Sequence, residues 1–245
     1  MARIAVIIPA AGKGERFGGN EKKIFAKIDG RAVFLRSIEH FLQREDVCQT
    51  ILAVAPEDEG EMKSKYGANL GFMGVKLVIG GAERFESVAR ALQVVSDEAE
   101  YVAVHDAVRC CVSTEMIDAV FAEAQKTGAA ILAAPLHGTI KKVGGSGVVD
   151  ATLPREGLYE AQTPQVFRKA LLLEAYAKLS EFAGEPTDDS QLVEALGHPV
   201  SVVPSDFSNL KITTRGDMTL AAAIIKARPK PRPTAPLGPF QEAQW

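Results

Sequence analysis

The chain has 245 residues, of which 47% are hydrophobic and 24% are charged. This composition is typical of a globular protein that buries one sizeable α/β core. The formal net charge of −3 gives no electrostatic footprint for nucleic acid. No apolar run reaches the roughly 20 residues needed to cross a bilayer, no signal peptide precedes the first strand, and Cys48, Cys110 and Cys111 lack metal-type spacing. We therefore expect a cytoplasmic enzyme with neither nucleic-acid nor membrane partners.

The first predicted element is a buried strand that ends in a glycine-rich, cationic loop. Residues 4–8 form a short apolar run, which breaks into small residues, glycines and cations. Bare backbone at the end of a buried parallel strand lets a ligand approach closely. The cations Lys13, Arg16, Lys22 and Lys23 indicate that this ligand is anionic. The stretch therefore predicts a phosphate-bearing substrate.

Strands and helices then alternate as far as residue 134. Strands are predicted at residues 50–55, 75–79, 101–104 and 130–134. Helices are predicted at residues 31–43, 57–66, 83–95 and 115–126. Thr114 is expected to cap the last of these helices, and Gly128 to end it. This alternation predicts an α/β fold with a mainly parallel sheet, helices on both faces, and polar residues at the strand ends.

The pattern changes between residues 137 and 163. The run Gly-Gly-Ser-Gly at residues 144–147 is a strong β-hairpin signal. The apolar residues that flank it are Ile140, Val143, Val148 and Val149. A hairpin inserted in a parallel sheet must bury its apolar face elsewhere. We therefore predict a projecting β-hairpin arm that packs on a second subunit, with an extra edge hairpin on the same domain as the alternative.

The remaining segments return to helices and short strands. Further helices are predicted at residues 168–182, after Thr187 as N-cap, and at residues 217–226. Short strands are predicted at residues 200–203 and 210–213. Beyond Ala227 the chain is rich in proline and is expected to be disordered or loosely docked. We thus predict a single domain over residues 1–228, with the arm at about 137–163, and a tail at 229–245.

Three kinds of phosphate loop compete for the glycine-rich stretch. A Walker A loop is disfavoured by the spacing of Gly12 and Gly14 and by the lack of Ser or Thr after Lys13. A dinucleotide fingerprint is disfavoured because Phe17 takes its sixth position and the next helix starts only near Arg31. A long loop with embedded cations can wrap a triphosphate. Fixed cations and Mg²⁺ suit nucleotidyl transfer, because charge builds on the α-phosphate and the leaving pyrophosphate.

A series of short motifs runs through the chain in the order of a known family. Residues 9–16 read Pro-Ala-Ala-Gly-Lys-Gly-Glu-Arg, which is similar to a P-A-A-G-x-G-x-R signature. Further similar stretches are residues 23–25, 80–88, 104–109, 138–141, 162–165, 187–189 and 209–214. Together they resemble the 2-C-methyl-D-erythritol 4-phosphate cytidylyltransferases over residues 3 to about 226. One glycine motif alone is a weak signal, whereas a series in matching order is a strong one.

The resemblance implies a Rossmann-like fold of the nucleotidyltransferase type and a reaction that requires Mg²⁺. In that reaction the phosphate of methylerythritol phosphate attacks CTP, giving the cytidine diphosphate ester and pyrophosphate, a step of non-mevalonate isoprenoid synthesis. By motif match, Arg16 and Lys23 stabilise the charge at the α-phosphate, while Arg155 and Lys211 grip and aim the acceptor phosphate. The resemblance also implies a homodimer in which the arm carries Arg155 to the other subunit's site.

The resemblance assigns further residues to substrate binding. Those expected to contact the nucleotide are Ala10, Ala11, Gly12, Gly14, Gly81 and Ser87. Those expected to add hydroxyl contacts to the acceptor are Thr139, Thr163 and Thr187. Asp106 is expected to help locate Mg²⁺, which is otherwise held by the triphosphate, and Arg109 lies at the same strand end. His105 is predicted to be a packed strand-end histidine, because the attacking phosphate is already an anion and needs no general base.

This chain departs from the family pattern at several positions. Lys22 stands where the family usually has proline before the catalytic lysine, which is expected to loosen the loop and let Lys22 share the role of Lys23. The other departures are Ala82, Gly138, Cys110, Arg215 and Gly216. A ribitol-5-phosphate cytidylyltransferase on the same fold is one alternative, disfavoured by Ala-Ala-Gly in the loop and by the basic pair at residues 141–142. A non-catalytic nucleotide-binding protein is the other, disfavoured by the retained cations.

Overall fold

A computed structural model of the protein describes residues 2–12, 17–18 and 22–228. Its strands are β1 (Ile4–Ala10), β2 (Lys27–Ile28), β3 (Arg31–Ala32), β4 (Val47–Val54), β5 (Val75–Ile79), β6 (Tyr101–Val104), β7 (Ala129–Pro135), β8 (Ile140–Val143), β9 (Val149–Leu153), β10 (Tyr159–Arg168) and β11 (Ser201–Pro204). Its helices are α1 (Val33–Leu42), α2 (Glu59–Phe72), α3 (Arg84–Leu92), α4 (Thr114–Thr127), α5 (Lys169–Ala177), α6 (Ser190–Ala195) and α7 (Arg215–Ala227). Lys13, Gly14, Arg16 and the predicted tail lie outside the described residues.

A seven-stranded sheet forms the centre of the described structure, in the order β11-β7-β10-β6-β1-β4-β5. Strand β1 lies in its interior and pairs in parallel with β4 and β6. Ile4, Val6 and Ile8 pack into the core on one face, and Ile7 into the core on the other. This division follows from the alternation of side chains along a strand. The predicted mainly parallel sheet is confirmed.

Helices cover both faces of this sheet. Residues of α1, α2, α4 and α7 join the core around Ile8, and residues of α3, α5 and α6 join the core around Ile7. Because both faces are covered, the interior parallel strands β1 and β6 read as continuous apolar runs rather than as alternating ones. The prediction of helices on both faces is confirmed. Across the described ranges, no helix combines the length and the apolar character needed to span a membrane.

Strand β10 was not predicted from the sequence. It lies between β6 and β7 and is antiparallel to both. Its first residues are exposed and its later ones buried, and the buried part includes the polar residues Gln162, Thr163 and Gln165. With neither clean alternation nor a continuous apolar run, the segment carries no strand signal. The helix predicted at 168–182 is correspondingly shorter, because α5 ends at Ala177 and only a 3₁₀ turn follows.

The start of α4 differs by one residue from the prediction. Ser113, not Thr114, caps the helix, because its Oγ accepts the backbone N–H of Met116 at 3.2 Å. Gly128 ends the helix as predicted, in the left-handed conformation with a φ of 92°. The choice between adjacent Ser and Thr residues is therefore made by backbone geometry rather than by residue preference.

Thr187 does not cap α6, contrary to the prediction. Instead, the Oε1 atom of Gln165 on β10 accepts the backbone N–H groups of Asp189 and Ser190, each at 3.1 Å. A buried side chain from another element thus satisfies the start of this helix, which no local pattern could indicate. The predicted strand at residues 210–213 is also wrong, because this segment pairs with no strand.

Strands β8 and β9 form the predicted hairpin as a separate two-stranded sheet. The chain leaves the central sheet after β7 and returns to it as β10. The large apolar side chains that stay exposed on this arm include Val143, Val148, Val149 and Leu153. The projecting arm is confirmed. Its packing on a second subunit stays a prediction, and the exposed apolar residues are the surface that it would use.

Candidate active site

A cavity opens at the carboxyl ends of β1 and β6. Its volume is about 190 Å³, and its lining consists of Pro9, Ala10, Ala11, Gly12, Lys23, Ile24, Arg84, Asp106, Ala107, Val108 and Lys211. This lining has three cations and one carboxylate, so the described part of the cavity carries a net positive charge. Open α/β sheets bind ligands at this position. The predicted site residues that it brings together are Ala10, Ala11, Gly12, Lys23, Asp106 and Lys211.

Asp106 is the electrostatic centre of the cavity. One carboxylate oxygen lies 3.1 Å from Arg84 Nε, and the other lies 2.8 Å from Lys211 Nζ. Arg109 Nε lies 3.5 Å from the second oxygen. Burial alone raises the pKa of a carboxyl group, but these three cations outweigh it and hold the pKa of Asp106 well below its usual range. Asp106 is therefore ionised, and it orients the two cations that also line the cavity.

Arg84 links Asp106 to a second buried carboxylate. Its Nη1 lies 2.8 Å from Asp189 Oδ2, and the Tyr176 hydroxyl donates to Asp189 Oδ1 at 2.6 Å. Burial lowers the pKa of the Arg84 guanidinium, but Asp189 and Asp106 outweigh it and raise that pKa above its ordinary value. Arg84 was not predicted from the sequence as a site residue. It stands in the motif at residues 80–88, but its partners lie far along the chain.

His105 and Thr163 form a buried hydrogen-bond chain behind Asp106. The backbone N–H of Asp106 donates to Thr163 Oγ1 at 3.0 Å. Thr163 Oγ1 lies 3.2 Å from His105 Nδ1, and His105 Nε2 lies 3.1 Å from the carbonyl oxygen of Arg109. Since a carbonyl only accepts, we assign the ring proton to Nε2, and the Thr163 hydroxyl donates to Nδ1. Burial lowers the pKa of His105 to about 3. His105 is thus a neutral packed histidine, and Thr163 holds the backbone of Asp106.

Replacing His105 by glutamine is expected to flatten the pH dependence of stability. The pKa of His105 is about 3 in the folded protein, against about 6.5 in an unfolded chain. The unfolded chain therefore binds this proton first, and the contribution of His105 to stability is complete above pH 6.5. As the pH falls from about 6.5 toward about 3, that contribution is lost at roughly 1.4 kcal/mol per pH unit.

Denaturant titrations of both proteins at pH 7.5 and at pH 5 measure this effect. Between these values, the free energy of unfolding should fall by about 2 kcal/mol more in the native protein than in His105→Gln. Carboxylates titrate in both proteins and cancel in the comparison. An equal fall in the two proteins would contradict the assignment of His105 as a buried neutral group.

Gly81 and Ser87 shape the loop between β5 and α3. Ser87 is fully buried. Its Oγ donates to the carbonyl oxygen of Glu83 and accepts the backbone N–H of Gly81, both at 3.1 Å. A Cβ atom on Gly81 would lie 2.3 Å from the Cβ atom of Glu86, so this close approach requires glycine. The side chain of Ser87 therefore fixes the loop through two hydrogen bonds, and neither Ser87 nor Gly81 is among the residues that line the central cavity.

The side chains of Lys22 and Lys23 line different cavities. Lys23 lines the central cavity, whereas Lys22 lines a separate one together with Asp58. Lys22 Nζ lies 2.7 Å from Asp58 Oδ1 and 3.3 Å from Glu57 Oε1. Burial lowers the pKa of Lys22, but its hydrogen bonds to Asp58 and Glu57 outweigh burial and raise it. The expectation that Lys22 shares the role of Lys23 is not met in this structure, because its ammonium group is held elsewhere.

Arg109 is buried and does not line the cavity. Its Nη1 donates to the carbonyl oxygen of Asn209 at 2.7 Å, and its Nη2 donates to that of Ala161 at 3.4 Å. The side-chain amide of Asn209 in turn donates to the carbonyl oxygen of Thr163 at 2.9 Å. These bonds fix the segment that carries Lys211 against β10. Besides its contact with Asp106, Arg109 therefore supports the site by fixing the backbone at Asn209 and Ala161.

Four residues predicted to contact the acceptor lie outside the cavity lining, and one of them, Thr163, is the buried residue behind Asp106. Thr139, Arg155 and Thr187 are exposed and do not contribute to its lining. The Arg155 guanidinium donates to the carbonyl oxygen of His137, near the base of the arm. One chain therefore does not bring these side chains to its own cavity. Arg16 and Gly14, which were also predicted to belong to the site, lie outside the described residues.

Known proteins are similar to this chain in both sequence and architecture. A sequence model described as 2-C-methyl-D-erythritol 4-phosphate cytidylyltransferase matches residues 4–227. The chain belongs to this family. A cytidylyltransferase of that name from Rhodopirellula baltica is 42% identical over 235 residues, which cover 91% of this chain and 95% of the relative. Another, from Solibacter usitatus, is 41% identical over 234 residues, which cover 91% of this chain and 96% of the relative.

Solved structures of the same family support the fold. The 2-C-methyl-D-erythritol 4-phosphate cytidylyltransferase of Thermus thermophilus has a TM-score of 0.74 and 33% identity, and covers 91% of this chain and 98% of its own. The 4-diphosphocytidyl-2C-methyl-D-erythritol synthase of Anaerococcus prevotii has a TM-score of 0.77 and 30% identity, and covers 92% of this chain and 99% of its own. The cytidylyltransferase fold is thus confirmed, and the ribitol-5-phosphate and non-catalytic alternatives are not favoured.

Proposed function

We propose that the cavity at the ends of β1 and β6 is where this cytidylyltransferase moves CMP from CTP to 2-C-methyl-D-erythritol 4-phosphate. The products are 4-diphosphocytidyl-2-C-methyl-D-erythritol, an intermediate of non-mevalonate isoprenoid synthesis, and pyrophosphate. The observation that carries the proposal is the charge of the lining, in which Lys23, Arg84 and Lys211 surround bare backbone with Asp106 as the counter-charge. Such a site suits a reaction that brings a triphosphate and a second phosphate together.

The nucleotide would lie over the end of β1. Ala10, Ala11 and Gly12 present small side chains or none to the cavity. Apart from the chain neighbours of Gly12, no atom of the described residues lies within 4 Å of the position that its Cβ would take. A ligand can therefore approach the backbone N–H and C=O groups directly. We place the cytosine and ribose there, beside the backbone of Gly81 that Ser87 holds in place. Gly14 stays a nucleotide-binding candidate by sequence alone.

Lys23 would act on the α-phosphate. When the acceptor oxygen attacks, negative charge grows on the α-phosphate oxygens and on the leaving pyrophosphate. A cation that is already in place stabilises this charge without reorganisation during the reaction. Lys23 lines the cavity and is the described candidate for this role. Arg16 is the second candidate by sequence.

Lys211 would hold the acceptor phosphate. Its Nζ lies 2.8 Å from Asp106 Oδ2, and its side chain is 40% exposed. Because an ammonium group has three N–H donors, Lys211 can keep its bond to Asp106 and donate to a phosphate oxygen as well. Asp106 thereby fixes the point at which the acceptor is gripped. A phosphate monoester has a second pKa near 6 and is already an anion at neutral pH, so the attack requires no general base.

Asp106 would also help to hold Mg²⁺. No group of three or more His, Cys, Asp or Glu side chains that could hold a metal ion exists among the residues that the structure describes. The donor set therefore fits Mg²⁺ as an ion brought by the triphosphate, since Mg²⁺ is commonly held by one or two carboxylates together with substrate phosphates. Asp106 lines the cavity, and its low pKa keeps it ionised. When bound, Mg²⁺ would neutralise charge on the phosphates.

The active form is proposed to be a homodimer in which the arm of one subunit reaches the site of the other. Two features of this chain support the proposal. The arm leaves large apolar side chains exposed, with Val148 at 63% and Val149 at 53%, and Arg155 is exposed away from its own cavity. A second subunit would cover the exposed valines of the arm, and its active site would receive Arg155. Thr139, which is also exposed, would accompany Arg155.

A cytoplasmic location is also proposed. The support is the state of the cysteines, since Cys48, Cys110 and Cys111 are free thiols in the structure. Free thiols persist in a reducing compartment.

Pyrophosphate release from CTP tests the proposed function. Incubation with CTP, Mg²⁺ and 2-C-methyl-D-erythritol 4-phosphate should release pyrophosphate, whereas ribitol 5-phosphate should give only background release. Chelation by EDTA should abolish the release, and excess Mg²⁺ should restore it. Release only with ribitol 5-phosphate would overturn the assignment of the acceptor. Release that survives chelation would remove the divalent ion from the proposal.

A further inference from the structure

We propose that the ion pair between Lys22 and Asp58 positions Lys23, which makes Asp58 a positioning residue for a reaction that takes place in another cavity. The inference rests on the role proposed above for Lys23. Two adjacent lysines line different cavities. Lys23 lines the central cavity, and Lys22 lines a separate one. The backbone that carries Lys23 is therefore attached, at its previous residue, to a fixed group outside the active site.

The attachment on this side is a buried carboxylate. Lys22 Nζ lies 2.7 Å from Asp58 Oδ1, and Asp58 is only 4% exposed. The other oxygen, Oδ2, has no hydrogen-bond partner among the described residues. Loss of Lys22 would leave this buried charge without its cation, which is strongly unfavourable. The pair is thus hard to break, and it holds Lys22 against the start of α2, where Glu57 adds a second contact at 3.3 Å.

The chain on the other side of Lys23 is fixed as well. The backbone N–H of Phe25 donates to the carbonyl oxygen of Lys22 at 3.0 Å, which closes a turn around Lys23 and Ile24. Phe25 is buried, and its ring stacks on that of Tyr66 in α2, with 5.9 Å between the ring centres. The backbone of Lys23 therefore lies between two contacts with the α2 region, which are the ion pair of Lys22 with Asp58 and the stacking of Phe25 on Tyr66. The ion pair is the anchor on the side of the glycine-rich loop.

This arrangement bears on turnover more than on binding. A lysine side chain has many rotamers, and ordering it costs free energy. If its backbone is also free, fewer of its conformations place the ammonium group where charge develops. A misplacement of about 1 Å costs up to roughly 10²-fold in rate. A fixed backbone at Lys23 should therefore raise kcat and leave the KM for CTP nearly unchanged, since binding also uses contacts elsewhere in the cavity.

Two matched double variants test the inference without leaving a buried charge unpaired. Both carry Asp58→Asn. In Lys22→Ala/Asp58→Asn the tether is absent, and kcat should fall about ten-fold, with the KM for CTP within about two-fold of the native value. In Lys22→Pro/Asp58→Asn the proline ring fixes φ and keeps the carbonyl group that Phe25 needs. Its kcat should return to within about three-fold of the native value. Thermal unfolding of the two doubles checks that both are folded.

Three further proteins separate the possible explanations. Asp58→Asn alone keeps the charge of Lys22 but breaks the ion pair, so its kcat should fall as in the alanine double. Lys63→Ala removes an exposed ion pair of α2, Lys63 with Glu59 at 2.6 Å, and should leave kcat unchanged. Lys23→Ala reports on the proposed function itself. If it loses turnover while the Lys22 and Asp58 variants do not, the tether alone is refuted.

Two other results would also refute the tether. Equal losses in the alanine and proline doubles would show that the charge of Lys22, rather than restraint of the backbone, supports turnover. Native turnover in Asp58→Asn would show that the ion pair has no influence on Lys23. If Lys23→Ala itself keeps native turnover, the role proposed for Lys23 fails first, and the reason for a tether fails with it.

Discussion

Replacement of Lys23 by alanine is expected to lower kcat by about 10²- to 10³-fold, the usual loss when one preorganised group that stabilises transition-state charge is removed. Lys23 lines the central cavity together with Arg84, Asp106 and Lys211. The charge that it meets is greatest in the transition state, so the KM for CTP should change much less than kcat. Steady-state rates at varied CTP, together with calorimetric titration of CTP, separate the two effects.

Lys27→Ala is the matched control for Lys23→Ala. Lys27 lies on β2, in the same segment of chain, but is exposed and does not line the central cavity. Removal of its charge should leave kcat and KM near their native values. A loss of CTP affinity in Lys23→Ala as large as its loss of turnover would instead assign Lys23 to ground-state binding. Native turnover in Lys23→Ala would remove it from the mechanism.

Arg155→Ala should abolish most turnover in a homodimer, yet a mixed dimer with Lys23→Ala should recover it. Loss of a charged contact to the acceptor phosphate costs roughly 1.5–3 kcal/mol, or about 10- to 150-fold in rate. If the arm crosses between subunits, one site of the mixed dimer carries both substitutions and the other carries neither. Mixed dimers isolated through two different affinity tags should therefore show about half of the native activity.

The same experiment distinguishes the alternative location of the arm. If each chain supplied Arg155 to its own site, both sites of the mixed dimer would be damaged and no activity would return. Dimers that carry Arg155→Ala in both subunits, with the same two tags, are the control for the purification. A protein that stays monomeric at assay concentration would contradict the shared site directly. Arg155 is exposed on the arm, so its truncation should not disturb the fold.

Most of the sheet and part of the site could be predicted from the amino-acid sequence. The apolar runs of the interior strands β1 and β6 are short and continuous, and this pattern is typical of strands in a covered parallel sheet. The glycines at residues 144–147 are similarly specific for a hairpin. Lys23, Asp106 and Lys211 were predicted from motifs and do line one cavity.

The position of the antiparallel strand β10 depends on contacts between distant parts of the chain, which the sequence does not show. Gln165 is polar and buried, and its amide is satisfied by α6 and by Asp188, with Nε2 donating to Asp188 Oδ2 at 2.8 Å. A buried polar residue is stable only if such partners exist. Because those partners come from a later part of the chain, no local pattern marked β10 as a strand or removed Thr187 from the cap of α6.

The charge network was also decided by the tertiary structure alone. The sequence shows which residues carry charge, but not which charges meet. Arg84 and Asp189 form a buried pair at 2.8 Å, and Lys22 pairs with Asp58 outside the central cavity. Attraction between charges depends on their separation and on burial, and both quantities are set by folding. Lys23 and Lys211 were predicted from the sequence, but the fold brings Arg84 to the same cavity and places Lys22 in another one.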